Sequence, residues 1–144
     1  MDCLKLENQL CFPLYAASKE VIRRYKPLLD KVDLTYTQYI AMMVLWEENE
    51  INVKTLGKKL YLDSGTLTPL LKKLESKGYI TRKRLDKDER NLDISITKKG
   101  LALQEKVKNV PEEIGKCVNL SEDEAKVLYN MLYKILGNVG GKNV

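Results

Sequence analysis

Three cysteines are the residues of this 144-residue chain with the widest chemical scope. They are Cys3, Cys11 and Cys117, and no two of them form a CxxC pair. Their odd number and wide spacing fit neither a secreted disulfide framework nor a zinc site. The chain has no histidine, which removes His-based metal sites, the Ser–His and Cys–His couples and the commonest general base. Free thiol chemistry is what remains, and no metal or cofactor is predicted.

Cys11 is the cysteine whose position suggests reactivity. It lies in an apolar stretch, Leu10–Leu14, where a lone cysteine is usually a small buried hydrophobe. Pro13 is tolerated in the first turn of a helix, so the helical stretch to Leu29 is expected to begin between residues 8 and 12. Cys11 then falls in or just before a first turn, where the reactive thiolate is favoured. On the residues alone, both interpretations stay open.

A second candidate site is one face of a helix that is expected to begin at Asp63 or Ser64 and to end at Lys77-Gly78. Its leucines recur at i, i+3, i+4 and i+7, which predicts a buried stripe of Leu67, Leu70, Leu71 and Leu74. The opposite face carries Ser64, Thr66, Thr68, Lys72 and Lys73. Hydroxyls against base edges and cations against phosphate suit a DNA groove. An amphipathic helix with a solvated lysine face is the alternative.

Basic charge is concentrated around this helix. Residues 1–50 carry 6 Lys/Arg and 8 Asp/Glu, residues 51–100 carry 13 and 6, and residues 101–144 carry 6 and 6. The whole positive excess therefore lies in the middle third, which suits a polyanionic partner.

No apolar run approaches the ~18 residues of a membrane span, and no signal peptide is evident. No membrane contact is predicted, and a cytoplasmic location is expected.

Two strands are predicted beside the helix, at Tyr79–Arg84 and Leu92–Ile96, because apolar and polar residues alternate there. The first of them carries the basic residues Arg82 and Arg84, which are expected to contact DNA. The charged loop between the strands holds Arg90, a candidate for a minor groove. Asp88, in the same loop, is expected to hold an arginine in place. The order of elements predicts a helix-turn-helix with a wing.

The remaining helices lie outside this unit. Capping boxes predict helix starts at Thr35 and Ser121, and Pro111 is expected to break or kink the helix that opens at Lys98. Cys117 is placed in a turn between the last two helices. The flanking helices have more apolar surface than one small domain needs, which predicts a symmetric homodimer.

The predicted fold class is mainly α with a small β-hairpin wing (α+β), in a single domain over residues 1–144. Residues 31–97 form the winged helix-turn-helix, which we expect to bind DNA. Residues 1–30 and 98–144 form the helical dimerisation region.

These motifs together resemble the MarR family of dimeric winged-helix regulators. The stretches that carry the resemblance are DSGTLTPLLKKLESKGYITRKR, DKDERN and ITKKG. The N-terminal LENQLCFPLYAASKEVIRRYKPLLDKVDLTYTQY is similar to the organic hydroperoxide resistance (OhrR) branch. The resemblance covers nearly the whole chain. It implies a repressor, not an enzyme, that binds a pseudo-palindromic operator and releases it when an organic hydroperoxide oxidises Cys11.

The resemblance also implies roles for individual residues. Cys11 matches the sensing cysteine, and Tyr25 and Tyr36 match tyrosines that reach it from the partner subunit. Tyr15 matches another tyrosine of the branch. Cys117 lies near where one subclass carries a resolving cysteine; the alternative is that it is unrelated and that a small cellular thiol caps Cys11. The base-reading part of the helix holds Ser64, Thr66 and Thr68, and the wing pair is Asp88 and Arg90.

Other functions remain compatible with the sequence. A MarR-type repressor could instead be released by a bound small aromatic or phenolic ligand, with Cys11 uninvolved. A thiol peroxidase is disfavoured, because there is no CxxC, no histidine and no second cysteine close to Cys11. A dimerisation module with an incidental basic face would show no salt-dependent DNA binding.

Overall fold

The computed structural model describes residues 1–85 and 91–140, which form a mainly helical fold with a small sheet. In chain order the elements are α1 (Cys11–Leu29), α2 (Tyr36–Glu48), β1 (Glu50–Asn52), α3 (Val53–Leu60), α4 (Ser64–Ser76), β2 (Ile80–Arg84), β3 (Leu92–Ile96), α5 (Lys98–Val107), α6 (Val110–Val118) and α7 (Glu122–Val139). Two short 3-10 turns precede α1, and a third follows it. The predicted fold class is confirmed.

The two capping boxes that the sequence predicts, at Thr35 and Ser121, are present. Thr35 accepts a hydrogen bond from the Gln38 backbone N–H at 3.2 Å, and the Gln38 side chain accepts one from the Thr35 N–H at 3.1 Å. Ser121 and Glu124 form the same reciprocal box at the start of α7. Caps of this kind stabilise a helix by about 1 kcal/mol, because they satisfy orphan N–H groups of the first turn.

Helix α2 lies at the centre of the core. Ala41, Met42 and Leu45 are fully buried, and the predicted leucine stripe of α4 is buried as well. Gly57 lets the turn between α3 and α4 pack closely against α3: a Cβ at this position would lie 2.9 Å from the Leu62 carbonyl oxygen. The core thus fixes α4 with its hydroxyl and lysine face outward.

The sheet has three antiparallel strands in the order β1-β3-β2. Strands β2 and β3 are the predicted wing pair, with Thr81 opposite Ser95. Strand β1 is absent from the sequence prediction, which treats its residues as a turn and a helix cap. Three residues are too few for a visible alternation. The strand exists because Ile51 is buried opposite Ile94 of β3.

Pro111 separates α5 from α6, as predicted, and lies in the first turn of α6. The predicted turn at Cys117 was wrong. Helix α6 continues through Val118 and ends at Asn119, whose φ of 53° is left-handed. The helix persists through Gly115 because Val110 and Ile114 are buried where α6 packs against α1.

Helix α7 has no buried residue in the single chain. Most of its large apolar side chains are 40–66% exposed, and those on one face are Leu128, Met131, Ile135 and Val139. An apolar face of this length on a long helix is typical of a surface that another protein covers.

Candidate functional site

The Cys11 thiol is exposed at the first residue of α1. No side chain caps this helix start, and its first turn holds no acidic residue. The thiol is therefore accessible to a small molecule in solution. The predicted place of Cys11 in the first turn is confirmed.

Tyr25 and Tyr36 form an aromatic cluster with Tyr39 at the other end of α1. The ring centroids of Tyr25 and Tyr36 are 4.7 Å apart in an edge-on arrangement, and Tyr25 lies 5.9 Å from Tyr39. The sequence prediction missed Tyr39, whose only signal was its place one helical turn after Tyr36. The cluster joins α1 to the start of α2.

Tyr25 lies fourteen positions after Cys11 in the continuous helix α1. At 1.5 Å per residue they lie about 21 Å apart along the axis of α1, so one chain cannot bring the thiol to the phenols. Tyr15 lies one turn from Cys11 and is exposed, with the Lys19 ammonium 5.5 Å from its ring centroid. A second copy is required if Cys11 and the tyrosine cluster are to meet.

The clustered phenols are neutral hydrogen-bond donors. Burial raises the pKa of Tyr25 to about 12, and the neighbouring Tyr36 and Tyr39 add to this effect. Burial likewise raises the pKa of Tyr36 and of Tyr39. A protonated phenol can donate to a thiolate, and such a bond would stabilise the anion.

The raised pKa of Tyr25 predicts a loss of stability in alkali. The folded state holds the Tyr25 proton more tightly than the unfolded state, whose pKa is near 10.0, so this contribution is complete below pH 10 and is lost as the pH rises towards about 12. We expect thermal unfolding, followed with tyrosinate absorbance, to shift less over this range in Tyr25→Phe than in wild type. Tyr15→Phe, at an exposed position, is the control. Equal shifts in wild type and Tyr25→Phe would contradict the prediction.

The other two cysteines are also free and exposed. Cys117 lies in the last turn of α6, the helix that packs against α1. Cys3 lies in a 3-10 turn before α1, where its carbonyl accepts a hydrogen bond from the Gln9 side chain at 2.8 Å.

Helix α4 presents the predicted polar face to solvent, and the residues exposed there are Ser64, Thr66, Thr68, Lys72 and Lys73. Asp63 caps the helix by accepting a hydrogen bond from the Thr66 N–H at 2.8 Å. This bond holds the pKa of the Asp63 carboxyl below its usual range. The capped first turn fixes the hydroxyls at the N-terminal end of the helix.

A cleft of about 850 Å³ separates the polar face of α4 from strand β2. Ser64, Thr68, Lys72, Arg82 and Arg84 are among the predicted residues that line it. Two lysines of α3, Lys54 and Lys58, line it as well. The sequence prediction missed them, although the basic polar face of α3 was a signal. The predicted loop residues Asp88 and Arg90 lie outside the described residues.

Comparison with known proteins places this arrangement in a family. A model of the family described as transcriptional regulator SarA/Rot matches residues 23–108. The organic hydroperoxide resistance transcriptional regulator of Bacillus subtilis (strain 168) is 50% identical over 142 residues, which are 99% of this chain and 97% of the relative. The chain belongs to the MarR family of winged helix-turn-helix regulators, in its organic hydroperoxide resistance branch.

AbfR of Staphylococcus epidermidis is a relative of this regulator whose crystal structure is known. Reduced AbfR bound to DNA is 37% identical, with a TM-score of 0.77 over 96% of both chains. Overoxidized AbfR bound to DNA is also 37% identical, with a TM-score of 0.76 over 96% of this chain and 97% of AbfR. The disulfide form is 36% identical, with a TM-score of 0.64 over 96% of this chain and 94% of AbfR.

The described part of the chain also bears on metal binding and on membrane spanning. Within residues 1–85 and 91–140, no group of three or more histidine, cysteine or acidic side chains could hold a metal ion. None of the helices in these ranges is long and apolar enough to cross a membrane.

Proposed function

We propose that this regulator is a homodimeric repressor that binds operator DNA when reduced and releases it when an organic hydroperoxide oxidises Cys11. One observation carries the proposal: an exposed thiol and a cluster of protonated phenols occupy opposite ends of α1. Two antiparallel copies of α1 would bring each thiol to the partner's phenols. The names of the B. subtilis relative and of the AbfR structures support a hydroperoxide response and DNA binding.

Sensing begins with attack of the Cys11 thiolate on the terminal oxygen of the hydroperoxide. A sulfur–oxygen bond forms, the oxygen–oxygen bond breaks, and the alcohol leaves after taking up a proton. Cys11 becomes a sulfenic acid, which is the first and reversible step of thiol oxidation. Leu10, Phe12 and Leu14 are exposed around it and favour an organic peroxide over hydrogen peroxide.

Resolution converts the sulfenic acid into a disulfide. A second thiol attacks the Cys11 sulfur, a disulfide bond forms, and water leaves. The second thiol is a small cellular thiol or Cys117, whose exposed place on α6 lets it react across the dimer. AbfR is described bound to DNA in the overoxidized state and separately in a disulfide form. We therefore assign release of DNA to the disulfide and not to oxygen atoms added to Cys11.

The arrangement of the helices links the state of Cys11 to DNA binding. Residues 1–30 and 98–144 form the dimerisation region, and residues 31–97 bind DNA. A dimer presents two α4 helices to half-sites about 34 Å apart. A disulfide at Cys11 displaces the partner's Tyr25 and Tyr36, and so favours a dimer in which the two α4 helices no longer match the grooves.

The proposal gives Cys11 a regulatory and not a catalytic role, because the oxidised protein itself, and not the alcohol formed, carries the response. It also gives the protein a cytoplasmic location, where operator DNA and small thiols are both present. With an excess of a small thiol as reductant, a thiol peroxidase would consume many equivalents of peroxide per subunit, whereas this regulator is expected to stop at the mixed disulfide after about one.

Binding to a DNA duplex selected from a random-sequence library tests the proposal. We expect a log–log salt dependence with a slope of several units. Stoichiometric cumene hydroperoxide with a small thiol should release the DNA, and dithiothreitol should restore binding. Mass spectrometry of Cys11 and Cys117 identifies the adduct. Salt-independent binding, or no release after Cys11 is modified, would refute the proposal.

A further inference from the structure

Glu75 and Arg82 form an ion pair across the cleft between the recognition helix and the wing. The Arg82 Nη2 donates a hydrogen bond to the Glu75 Oε1 at 2.9 Å. Glu75 lies in the last turn of α4, and Arg82 lies in the middle of β2. The pair therefore connects the helix that carries Ser64 and Thr68 to the strand that carries Arg84.

The pair is partly buried, with 39% of the Glu75 side chain and 23% of the Arg82 side chain exposed. The hydrogen bond from Arg82 holds the pKa of the Glu75 carboxyl below its usual range. The Arg82 Nε is buried and has no hydrogen-bond partner among the described residues. Burying an unsatisfied N–H is unfavourable, and an apolar pair could fill such a site at no such cost. Stability alone therefore does not account for this pair.

The electrostatic setting of Glu75 is also unfavourable for a DNA-binding surface. The cleft that Glu75 lines is basic, with lysines from α3 and α4 and an arginine from β2; they are Lys54, Lys58, Lys72 and Arg84. A carboxylate at this position reduces the attraction of the cleft for phosphate. A residue that lowers affinity through its charge is expected here only if it raises affinity by another route.

We infer that Glu75 is a positioning residue for DNA binding: through Arg82 it fixes strand β2 at the distance from α4 that lets helix and wing contact one duplex together. The inference rests on the proposed function, because it requires that the cleft faces DNA. Arg82 then acts mainly within the protein, and its sequence-predicted role as a DNA contact becomes indirect.

Two substitutions of Glu75 separate positioning from charge. Both Glu75→Ala and Glu75→Gln remove one negative charge, but only glutamine keeps an oxygen that can accept from Arg82. We expect Glu75→Ala to raise the Kd for DNA about tenfold and Glu75→Gln to raise it about threefold. A pure charge effect predicts equal affinities for the two variants, both tighter than wild type.

Glu48 supplies the matched control. Its carboxylate accepts a hydrogen bond from the Lys59 Nζ at 3.1 Å, in an ion pair that is exposed. Glu48→Ala and Glu48→Gln lose the same charge and an ion pair but no link to the wing. We expect their affinities to equal or exceed that of wild type.

The double variant Glu75→Ala, Arg82→Ala tests whether the two residues act as one unit. Each single substitution should weaken binding about tenfold, and the double variant should weaken it no further than either single variant. Two independent effects would instead multiply. Wild-type or tighter binding by Glu75→Ala, or multiplied losses in the double variant, would overturn the inference. If Glu75→Ala does not fold, the Glu75→Gln variant is the test. Binding of DNA by Glu75→Gln that is as tight as wild type or tighter would then overturn the inference.

Wild-type protein measured in parallel distinguishes a failure of the positioning role from a failure of the proposed function. If wild type shows no salt-dependent DNA binding, the proposed function itself has failed. If wild type binds and releases DNA as proposed while the Glu75 variants follow the charge prediction, only the positioning role has failed.

Discussion

Cys11→Ser is expected to bind operator DNA within about threefold of the wild-type Kd and to ignore organic hydroperoxide. Cys11 is exposed at the start of α1, so the change to serine leaves no cavity in the core. Serine can accept hydrogen bonds from the partner's phenols, but its hydroxyl is not a nucleophile towards peroxide. Wild type should lose roughly 100-fold or more in affinity under the same oxidant, as expected when two linked half-sites are no longer engaged together.

Binding to a labelled operator duplex, before and after one equivalent of cumene hydroperoxide with a small thiol, measures this effect. Cys3→Ser is the control, because Cys3 is exposed in the segment before α1 and should leave the response unchanged. Release of Cys11→Ser at the wild-type peroxide concentration would remove the sensing role from this residue.

Cys117→Ser then distinguishes the two routes of resolution. If a small thiol caps Cys11, the variant is released like wild type and carries a mixed disulfide. If Cys117 is the resolving residue, the variant resists release in the absence of added thiol, and wild type shows a cross-linked dimer on a non-reducing gel.

Charges on the apolar face of α7 should give the second large effect. Leu128→Glu together with Ile135→Glu is expected to yield a monomer whose affinity for operator DNA is roughly 100-fold lower or worse. Both side chains are at least 40% exposed in the single chain, so the monomer should still fold. Two carboxylates in a dimer interface would be buried without partners, which is strongly unfavourable. Sedimentation velocity and DNA binding measure the two consequences.

Asn130→Glu together with Gly137→Glu is the matched control. These positions lie on the opposite face of the same helix, and a Cβ at Gly137 meets nothing within 4 Å among the described residues. The control adds the same two charges and should stay dimeric, with DNA affinity reduced only by the general repulsion from phosphate. A dimeric Leu128→Glu, Ile135→Glu variant would show that α7 is not the dimer interface.

Several features of the regulator could be predicted from local sequence, because neighbours along the chain determine them. The capping boxes at Thr35 and Ser121 form from residues three positions apart. The leucine stripe of α4 follows from helical periodicity, and the stripe fixes which hydroxyls and lysines face outward. Local sequence also predicted the break at Pro111 and the position of Cys11 at a helix start.

Predictions failed where long-range packing outweighs local preference. The sequence prediction placed Cys117 in a turn, but packing of α6 against α1 keeps that segment helical. The three residues of β1 have no strand pattern of their own and become a strand only because β3 is available to pair with them. In both cases the deciding partner lies far away in the sequence.

By itself, the sequence determined the reacting groups available to this protein: free thiols, no histidine, and a positive excess confined to residues 51–100. It also determined which helix faces are polar. Only the tertiary structure decided which groups meet. It placed the tyrosine cluster at the opposite end of α1 from Cys11 and joined Glu75 to Arg82 across a basic cleft. The reason is physical: helix length and the packing of elements determine distances between residues, and residue type and local spacing do not.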